Sequence, residues 1–289
     1  MPPATTVADT NNLGEGDSYL VLDLLSDDED WMEKLKQEVE FKVMLHRGGE
    51  VPRLVAVQGE INEDGSFPIY RHPADASPPL LQFSPTVSRI RVAVEAHLNH
   101  PVNHVLIQHY RSGKDYISEH SDKTIDVVAG SKIVNVSIGA TRSMTLKTKK
   151  DAQPSAGETE EDRSRKHQKF SLPDRSMFVM GLGTNAKWLH SVRHDNRPVH
   201  TKSEEERYMN GERISLTFRN IGTFLNAAGT KIWGQGAVSK SAAEAQSVVT
   251  DQEEVEKLID WFGRENHQSN FDWHGVYGQG SDVVNFTQL

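Results

Sequence analysis

The sequence predicts a mainly β chain with flanking helices, an α+β arrangement whose strands build a sandwich or barrel. Three observations carry this reading. Short β-rich runs follow one another at 102–110, 133–138, 144–148, 170–172, 177–180 and 214–218, each closed by a turn. The runs do not alternate with helices as in a doubly wound parallel sheet, and there is no internal repeat. Helical periodicity is confined to stretches that flank these runs.

Residues 1–17, rich in Thr, Asn, Pro and Gly, read as a disordered N-terminus. A helix is expected from Ser26. Ser26 and Glu29 spell a capping box, Asp27 and Asp28 suit the positive end of the helix dipole, and Trp31, Leu35 and Val39 recur at one-turn spacing. Residues 48–73 carry strand-like pieces broken by turns, notably Asn62-Glu63-Asp64-Gly65. A second helix follows Ser84-Pro85, with Val87, Ile90, Val94 and Leu98 as its apolar stripe. Segments 149–168 and 195–212 read as charged loops. After Phe224 a tail begins. It holds a helix at about 251–264, with Val255, Leu258, Ile259 and Phe262 on one face, and a turn at 277–280 before an apolar strand-like piece. The expected organisation is one domain over 18–226, with a lid at about 48–73, and an extension over 227–289 packed on it.

The chain has 289 residues, 36% apolar and 25% charged, as in an ordinary globular protein. It has no cysteine, which excludes disulfides, thiolate metal sites and cysteine nucleophiles. Any metal must sit on nitrogen or oxygen ligands, for which thirteen histidines are candidates. The first residues lack the apolar run of a signal peptide, and no stretch has the length and hydropathy of a membrane span. The expectation is an intracellular protein, in cytoplasm or nucleus, with no membrane contact and no evident obligate protein partner. A net charge of −9 argues against broad adhesion to nucleic acid but leaves room for a local basic groove.

His120-Ser121-Asp122 is an H-x-D triplet. On extended backbone residues i and i+2 point the same way, so both side chains reach one ion. His190, in Trp188-Leu189-His190-Ser191-Val192, offers a third ligand. Two histidines and one carboxylate make the facial triad that leaves open positions for Fe(II) chemistry. Taken alone, H-x-D is more often a surface turn; a further element raises its weight. Arg213 to Arg219 alternates strictly, with Arg213, Ser215, Thr217 and Arg219 on one face and Ile214, Leu216 and Phe218 on the other. A guanidinium turned into a barrel needs an anion, and it grips a carboxylate with two hydrogen bonds. 2-Oxoglutarate would bring one carboxylate to iron and present the other to such an arginine.

These segments together resemble the AlkB family of Fe(II)- and 2-oxoglutarate-dependent dioxygenases. The matching stretches are 103–110 (NHVLIQHY), 119–122 (EHSD), 137–140 (SIGA), 190–192 (HSV), 213–219 (RISLTFR) and, near the entry, Val51-Pro52-Arg53. The likeness covers roughly residues 50–225. The tail, with Trp233-Gly234-Gln235-Gly236 and Tyr277-Gly278-Gln279-Gly280, resembles an extension of fungal relatives. The resemblance implies a double-stranded β-helix core of jelly-roll, cupin-like type. It implies Fe(II) on His120, Asp122 and His190, with 2-oxoglutarate and O2 as cosubstrates. Arg213 with Tyr110 would hold the distal carboxylate, Arg219 would lie near cosubstrate and substrate, and Gln108 and Ser215 stand where the family has Asn.

For the substrate, the resemblance implies an alkylated nucleobase in DNA or RNA, flipped against an aromatic side chain. Tyr70 stands where the family's stacking aromatic lies, Arg53 at the entry, and Thr124 where the family often has an acidic base contact. Arg53, Arg71 and Lys123 are the nearby cations for phosphates. The altered position 124 and the acidic surface motivate an alternative, oxidation of a small molecule in a secondary metabolic pathway. A non-catalytic binding module is disfavoured because the triad and Arg213 are intact.

Overall fold

A computed structural model describes residues 10–46, 49–73, 76–151 and 165–284. The larger sheet is antiparallel along its main path and runs Tyr19–Val21, Met177–Met180, Ile133–Gly139, Arg213–Arg219, His104–Tyr110, Gly49–Gly59, Lys42–His46. Leu80–Gln82 joins Gly49–Gly59 in parallel. The smaller sheet runs His167–Leu172, Arg142–Thr148, Trp188–Val192, Ile117–His120. Spatial neighbours are distant in sequence, and one apolar cluster is shared by the two sheets. It joins Tyr110, Ile133 and Phe178 of the larger sheet to Met144, Leu146, Trp188 and Val192 of the smaller. This is the jelly-roll sandwich expected of the sequence.

The second large cluster lies on the other side of the larger sheet. There Ile214, Leu216 and Phe218, with Val105, Ile107, Val134 and Val136, meet Trp31 and Leu35 of the Trp31–Glu38 helix and Val87, Ile90 and Val94 of the Pro85–Leu98 helix. The apolar face of the Arg213–Arg219 strand is therefore covered by helices. By the pleat, its polar face looks into the sandwich. Within that strand Arg213 stands opposite Tyr110, and Ser215 opposite both Gln108 and Ser137.

Several expectations are corrected. The first helix begins four residues later than expected, because Asp30 caps it by accepting from the Glu33 amide at 3.0 Å. Glu29 is diverted into ion pairs with Lys34 and Arg89, and the Ser26 carbonyl accepts from the Trp31 indole. Residues 10–17 are built in, where a disordered segment was expected. Leu13 is buried between the sheets, the Gly14 amide donates to Gln168, and Asp17 accepts from Gly183 at the head of the Leu182–Lys187 helix. Residues 1–9, and 152–164 of the expected charged loop, lie outside the described residues. Residues 49–59 of the expected lid form an internal strand of the larger sheet, Phe67–Pro68 pairs with Thr223–Leu225 in a third sheet that also holds Lys231–Gly234 and Gln246–Ser247, and Tyr70, His72 and Pro73 border the cavity. Segment 195–212 is not plain loop but folds into short helical turns, and the expected turn at 277–280 begins as the end of a short helix, Trp273–Tyr277.

The extension after residue 226 packs on the sandwich through a helix and a buried cation. The Gln252–His267 helix buries Val255, Leu258 and Phe262 against Ile125, Tyr277 and Val283. Ile259, expected on that buried face, is 41% exposed. Arg71 donates to both Asp126 oxygens and to the carbonyls of Gly236, Ser281 and Val283. At Gly236 a Cβ would lie 2.4 Å from Asp126 Oδ1, so only glycine lets the extension approach this pair. Removing one partner of a buried pair leaves the other charge unmatched. Asp126→Ala is expected to lower the unfolding free energy by about 3–5 kcal/mol in urea denaturation. A loss under about 1 kcal/mol would show that the carbonyls alone satisfy Arg71.

Candidate metal and cosubstrate site

Ile117–His120 and Trp188–Val192 are hydrogen-bonded neighbours, and their register sets His120 directly opposite His190. The two rings are 4.2 Å apart between centroids. Asp122 follows where the strand has ended. Its Oδ1 is 3.8 Å from His120 Nε2 and 3.7 Å from His190 Nε2, and the three ligand atoms lie within 4.8 Å of one another. The residues predicted as a triad thus converge on one point. His120 Nδ1 is 2.8 Å from the Ser118 carbonyl and so carries the proton, leaving the Nε2 lone pair for an ion.

The electrostatics suit a cation. Burial, then the neighbouring His190, push the His120 imidazole down to about 3, and burial with Arg219 and Lys123 lowers His190. Both are neutral near neutral pH, the form that binds metal. Burial alone would raise the Asp122 carboxyl, but Arg219 and the two histidines hold it below the ordinary carboxylate range. Arg219 donates to Asp122 Oδ2 at 2.6 and 3.0 Å, so Oδ2 is occupied and Oδ1 faces the histidines.

Sequence reasoning missed Asn185. Its side-chain oxygen accepts from the Asp122 amide at 2.8 Å and its NH2 donates to the Asp122 carbonyl at 2.9 Å. A fully buried amide thus pins the backbone of the candidate ligand. A single Asn in a short helix gives no periodic signal, so nothing in the sequence marks it.

Arg213 is wholly buried. Nη2 donates to Asn135 Oδ1 at 3.0 Å and Ser137 Oγ at 2.7 Å, but Nε and Nη1 have no partner. Burial pushes this guanidinium down to about 10, which leaves it charged at neutral pH. Among the described residues no carboxylate pairs with it. Tyr110 lies beside it, with the guanidinium carbon 5.3 Å from the ring centroid, and Tyr110 Oη donates to Gln108. Ser215 Oγ accepts from Asn135 Nδ2 at 2.6 Å, so Ser215 reaches Arg213 through Asn135 rather than directly. Asn135 and Ser137 could have been found from sequence, because they alternate with Val134, Val136 and Ile138 as Arg213 and Ser215 alternate with Ile214 and Leu216.

A cavity of about 660 Å³ opens over the three candidate ligands, bordered by Gln108, Tyr110, Tyr70 and Arg219. Tyr70 is held at both ends. Its hydroxyl accepts from the Lys123 amide at 3.1 Å and its ring lies 3.9 Å from the Arg219 guanidinium carbon, so one ring face is already covered. Arg53 borders the cavity with Nη1 on the Tyr116 carbonyl and Nε unpartnered. The other two expected cations do not face it as free charges. Arg71 is spent on Asp126, and Lys123 Nζ turns to the Ser121 carbonyl and Asn266. Thr124 points away from the base position expected of it and bonds Glu265 of the extension through its amide and hydroxyl.

Outer groups that orient metal ligands are worth about 10–100-fold in metal affinity. Asn185→Ala is expected to weaken binding of Fe(II), or of Co(II) as a spectroscopic substitute, by that order. The measurement is a metal titration of the folded protein. Unchanged affinity would show that Arg219 alone fixes Asp122.

The family model of the 2OG-Fe(II) oxygenase superfamily matches residues 22–219, which takes in all three candidate ligands, Arg213 and Arg219. DNA oxidative demethylase ALKBH2 of Homo sapiens is 29% identical over 213 residues, 71% of this chain and 72% of that protein. The Bos taurus ALKBH2 is 32% identical over 139 residues, 47% of this chain and 44% of that protein. The alpha-ketoglutarate-dependent dioxygenase alkB homolog 3 of Rattus norvegicus is 26% identical over 197 residues, 66% of this chain and 59% of that protein. The chain thus spans only about half the length of some of the relatives it matches. A solved structure of OsALKBH1 aligns with 71% of this chain and 98% of its own at TM-score 0.43 and 18% identity. Among the described residues no helix is long and apolar enough to cross a membrane. With the family model covering well over half the chain, this protein belongs to the 2OG-Fe(II) oxygenase superfamily, as an AlkB-like member.

Proposed function

We propose that the protein is an Fe(II)- and 2-oxoglutarate-dependent dioxygenase that oxidatively dealkylates a nucleobase in DNA or RNA, acting in cytoplasm or nucleus. The observation that carries the reaction class is the wholly buried Arg213 with Nε and Nη1 unpartnered, beside a converging His, Asp, His set. A buried unpaired charge is costly, and a carboxylate ligand is the group that would match it. When bound, iron with 2-oxoglutarate and O2 supplies hydroxylation of a substrate C–H bond, with succinate and CO2 as coproducts.

The chain's own residues bind and orient. His120 and His190 would hold the ion through Nε2 and Asp122 through Oδ1, while Arg219 occupies Oδ2 and keeps that carboxylate single-handed. Arg213 would take the distal carboxylate of the cosubstrate, with Asn135 and Ser137 already fixing the angle of its fork. Gln108 and Tyr110 border the space between. Tyr70 borders the cavity beside His72, with ring centroids 5.6 Å apart, and would be the aromatic that meets a base there. A hydroxylated N-alkyl carbon then leaves as an aldehyde. The nucleobase is supported by the likeness to the DNA oxidative demethylases ALKBH2 and by this aromatic at the cavity.

A second reading, oxidation of a small molecule, is favoured by one observation: Arg71 and Lys123 are tied up inside the protein, which leaves Arg53 as the one member of that trio with a free donor. The experiment that separates the two is succinate release by the iron-loaded protein. It is run with methylated single-stranded and duplex oligonucleotides at low salt, and with a metabolite extract. Turnover on methylated oligonucleotides that falls steeply as salt rises is expected. Turnover on the extract alone would overturn the nucleobase reading.

The cosubstrate reading has its own check. Arg213→Ala is expected to raise the 2-oxoglutarate concentration needed for half-maximal turnover by on the order of 10–100-fold, since a charge-assisted pair is lost. Arg213→Lys should recover part of it, because an ammonium lacks the planar fork. An unchanged requirement in Arg213→Ala would mean that another cation holds the carboxylate.

A further inference from the structure

The family match ends at residue 219, yet one side of the cavity is made by residues that follow it. Ile259, Gly263, Asn266 and His267 of the Gln252–His267 helix all border the cavity. The helix is fixed there from several sides. Its apolar stripe is buried, Lys149 Nζ donates to the Glu265 and Gln268 carbonyls at its end, and Glu265 is held by Thr124 and the Tyr277 hydroxyl. Most telling is Asn266. Its Oδ1 accepts from the Ser121 amide at 3.0 Å, from Ser121 Oγ at 3.4 Å and from Lys123 Nζ at 3.4 Å. The helix therefore seats on the residue between His120 and Asp122.

Those donors also decide which way the Asn266 amide points. A backbone N–H and an ammonium can only donate, so the oxygen must face them and the NH2 must face away. Among the described residues that NH2 has no partner, and the residue borders the cavity. The neighbouring His267 is equally defined. Its Nδ1 is 2.6 Å from the Gly263 carbonyl and so carries the proton, which makes Nε2 of the neutral ring an acceptor. His267 is exposed and also borders the cavity. Side by side, the helix presents a donor and an acceptor, next to the apolar Ile259.

We propose that the C-terminal helix is the selecting wall of the substrate pocket, with Asn266 Nδ2 donating to, and His267 Nε2 accepting from, the polar edge of the bound base. This rests on the nucleobase reading above. A site that hydrogen-bonds its substrate disfavours analogues with the opposite pattern, because groups that the bound base covers are then left unpaired. Asn266 favours bases with a carbonyl at the contacted edge, and His267 favours those with an exocyclic amino group.

The test uses the full iron-loaded chain and oligonucleotides carrying one N-methylated base. Adenine brings an amino group and no carbonyl, thymine carbonyls and no amino group, and guanine and cytosine bring both, so adenine against thymine is the discriminating pair. Asn266→Asp keeps an oxygen for Ser121 and Lys123 but replaces the donor by an acceptor. It is expected to shift the ratio of kcat/KM from methylated thymine toward methylated adenine by about tenfold. His267→Ala should shift the ratio the other way, chiefly through KM. As a readout independent of turnover, amide exchange over residues 252–267 should slow when oligonucleotide binds. Methylated bases turned over by all three proteins with one unchanged ranking, and no change in exchange, would overturn the wall while leaving the nucleobase reading intact. No turnover of any methylated base by the unmodified protein would overturn that reading and this inference together.

Discussion

Everything at the candidate site depends on the two-residue period of one central strand. Arg213–Arg219 lies between His104–Tyr110 and Ile133–Gly139, so both its edges are paired and its register cannot drift. A slip of one residue would drive two guanidiniums into the apolar layer under the helices and turn Ile214, Leu216 and Phe218 toward the cavity. The apolar face, packed on the two N-terminal helices, therefore holds the polar face in place. Arg219 then meets Asp122, just past the end of the Ile117–His120 strand, and Arg213 meets Asn135 and Ser137 of the neighbouring strand. The two arginines share a face but not a fate. One is matched by a carboxylate of the protein itself, the other, among the described residues, by neutral groups only.

What the sequence reveals follows from range. The convergence of His120, Asp122 and His190 is legible because H-x-D and a later histidine carry ligand chemistry in their residue types, and the two-His, one-carboxylate set is small. The Arg213 strand is legible because its alternation is local. The Pro85–Leu98 helix is legible for the same reason, with Pro at its first turn and Val87, Ile90 and Val94 buried. What stays hidden is set by long-range pairing. Asp30 outcompetes Ser26 as a cap because Glu29 finds Arg89 on the second helix, a partner that no window around residue 26 contains. Arg71, Lys123 and Thr124 look like available site groups until the extension supplies Gly236, Asn266 and Glu265 to bind them. Ile259 keeps the helical period yet faces the cavity, since the helix leans on the sandwich along a stripe narrower than its apolar face.

The extension therefore alters the meaning of residues in the core. Thr124 has no acid of its own but is hydrogen-bonded to one carried by a helix about 140 residues later, at a sequence separation of 141. Burial raises that Glu265 carboxyl above its ordinary value, with Lys123, Thr124 and Tyr277 opposing the rise. Charge that the sequence alone would assign to a ligand is here internal to the joint between sandwich and extension.

The fan of hydrogen bonds from Arg71 has a consequence for the order of assembly. One of its acceptors, the Ser281 carbonyl, lies 210 residues further along the chain. A ribosome adds on the order of 5–20 residues per second, so the segment carrying Arg71 waits at least about ten seconds for that acceptor. The central strand ends at Arg219, 62 residues before Ser281, so at the same pace the sandwich can be complete at least about three seconds before that acceptor arrives, and before the last long helix makes its side of the cavity. Asn266 too arrives only then. The nascent protein can thus hold its two sheets in place while the groove over His120 and Asp122 still lacks that wall. Metal and cosubstrate could then approach from the side of the cavity that this helix later occupies.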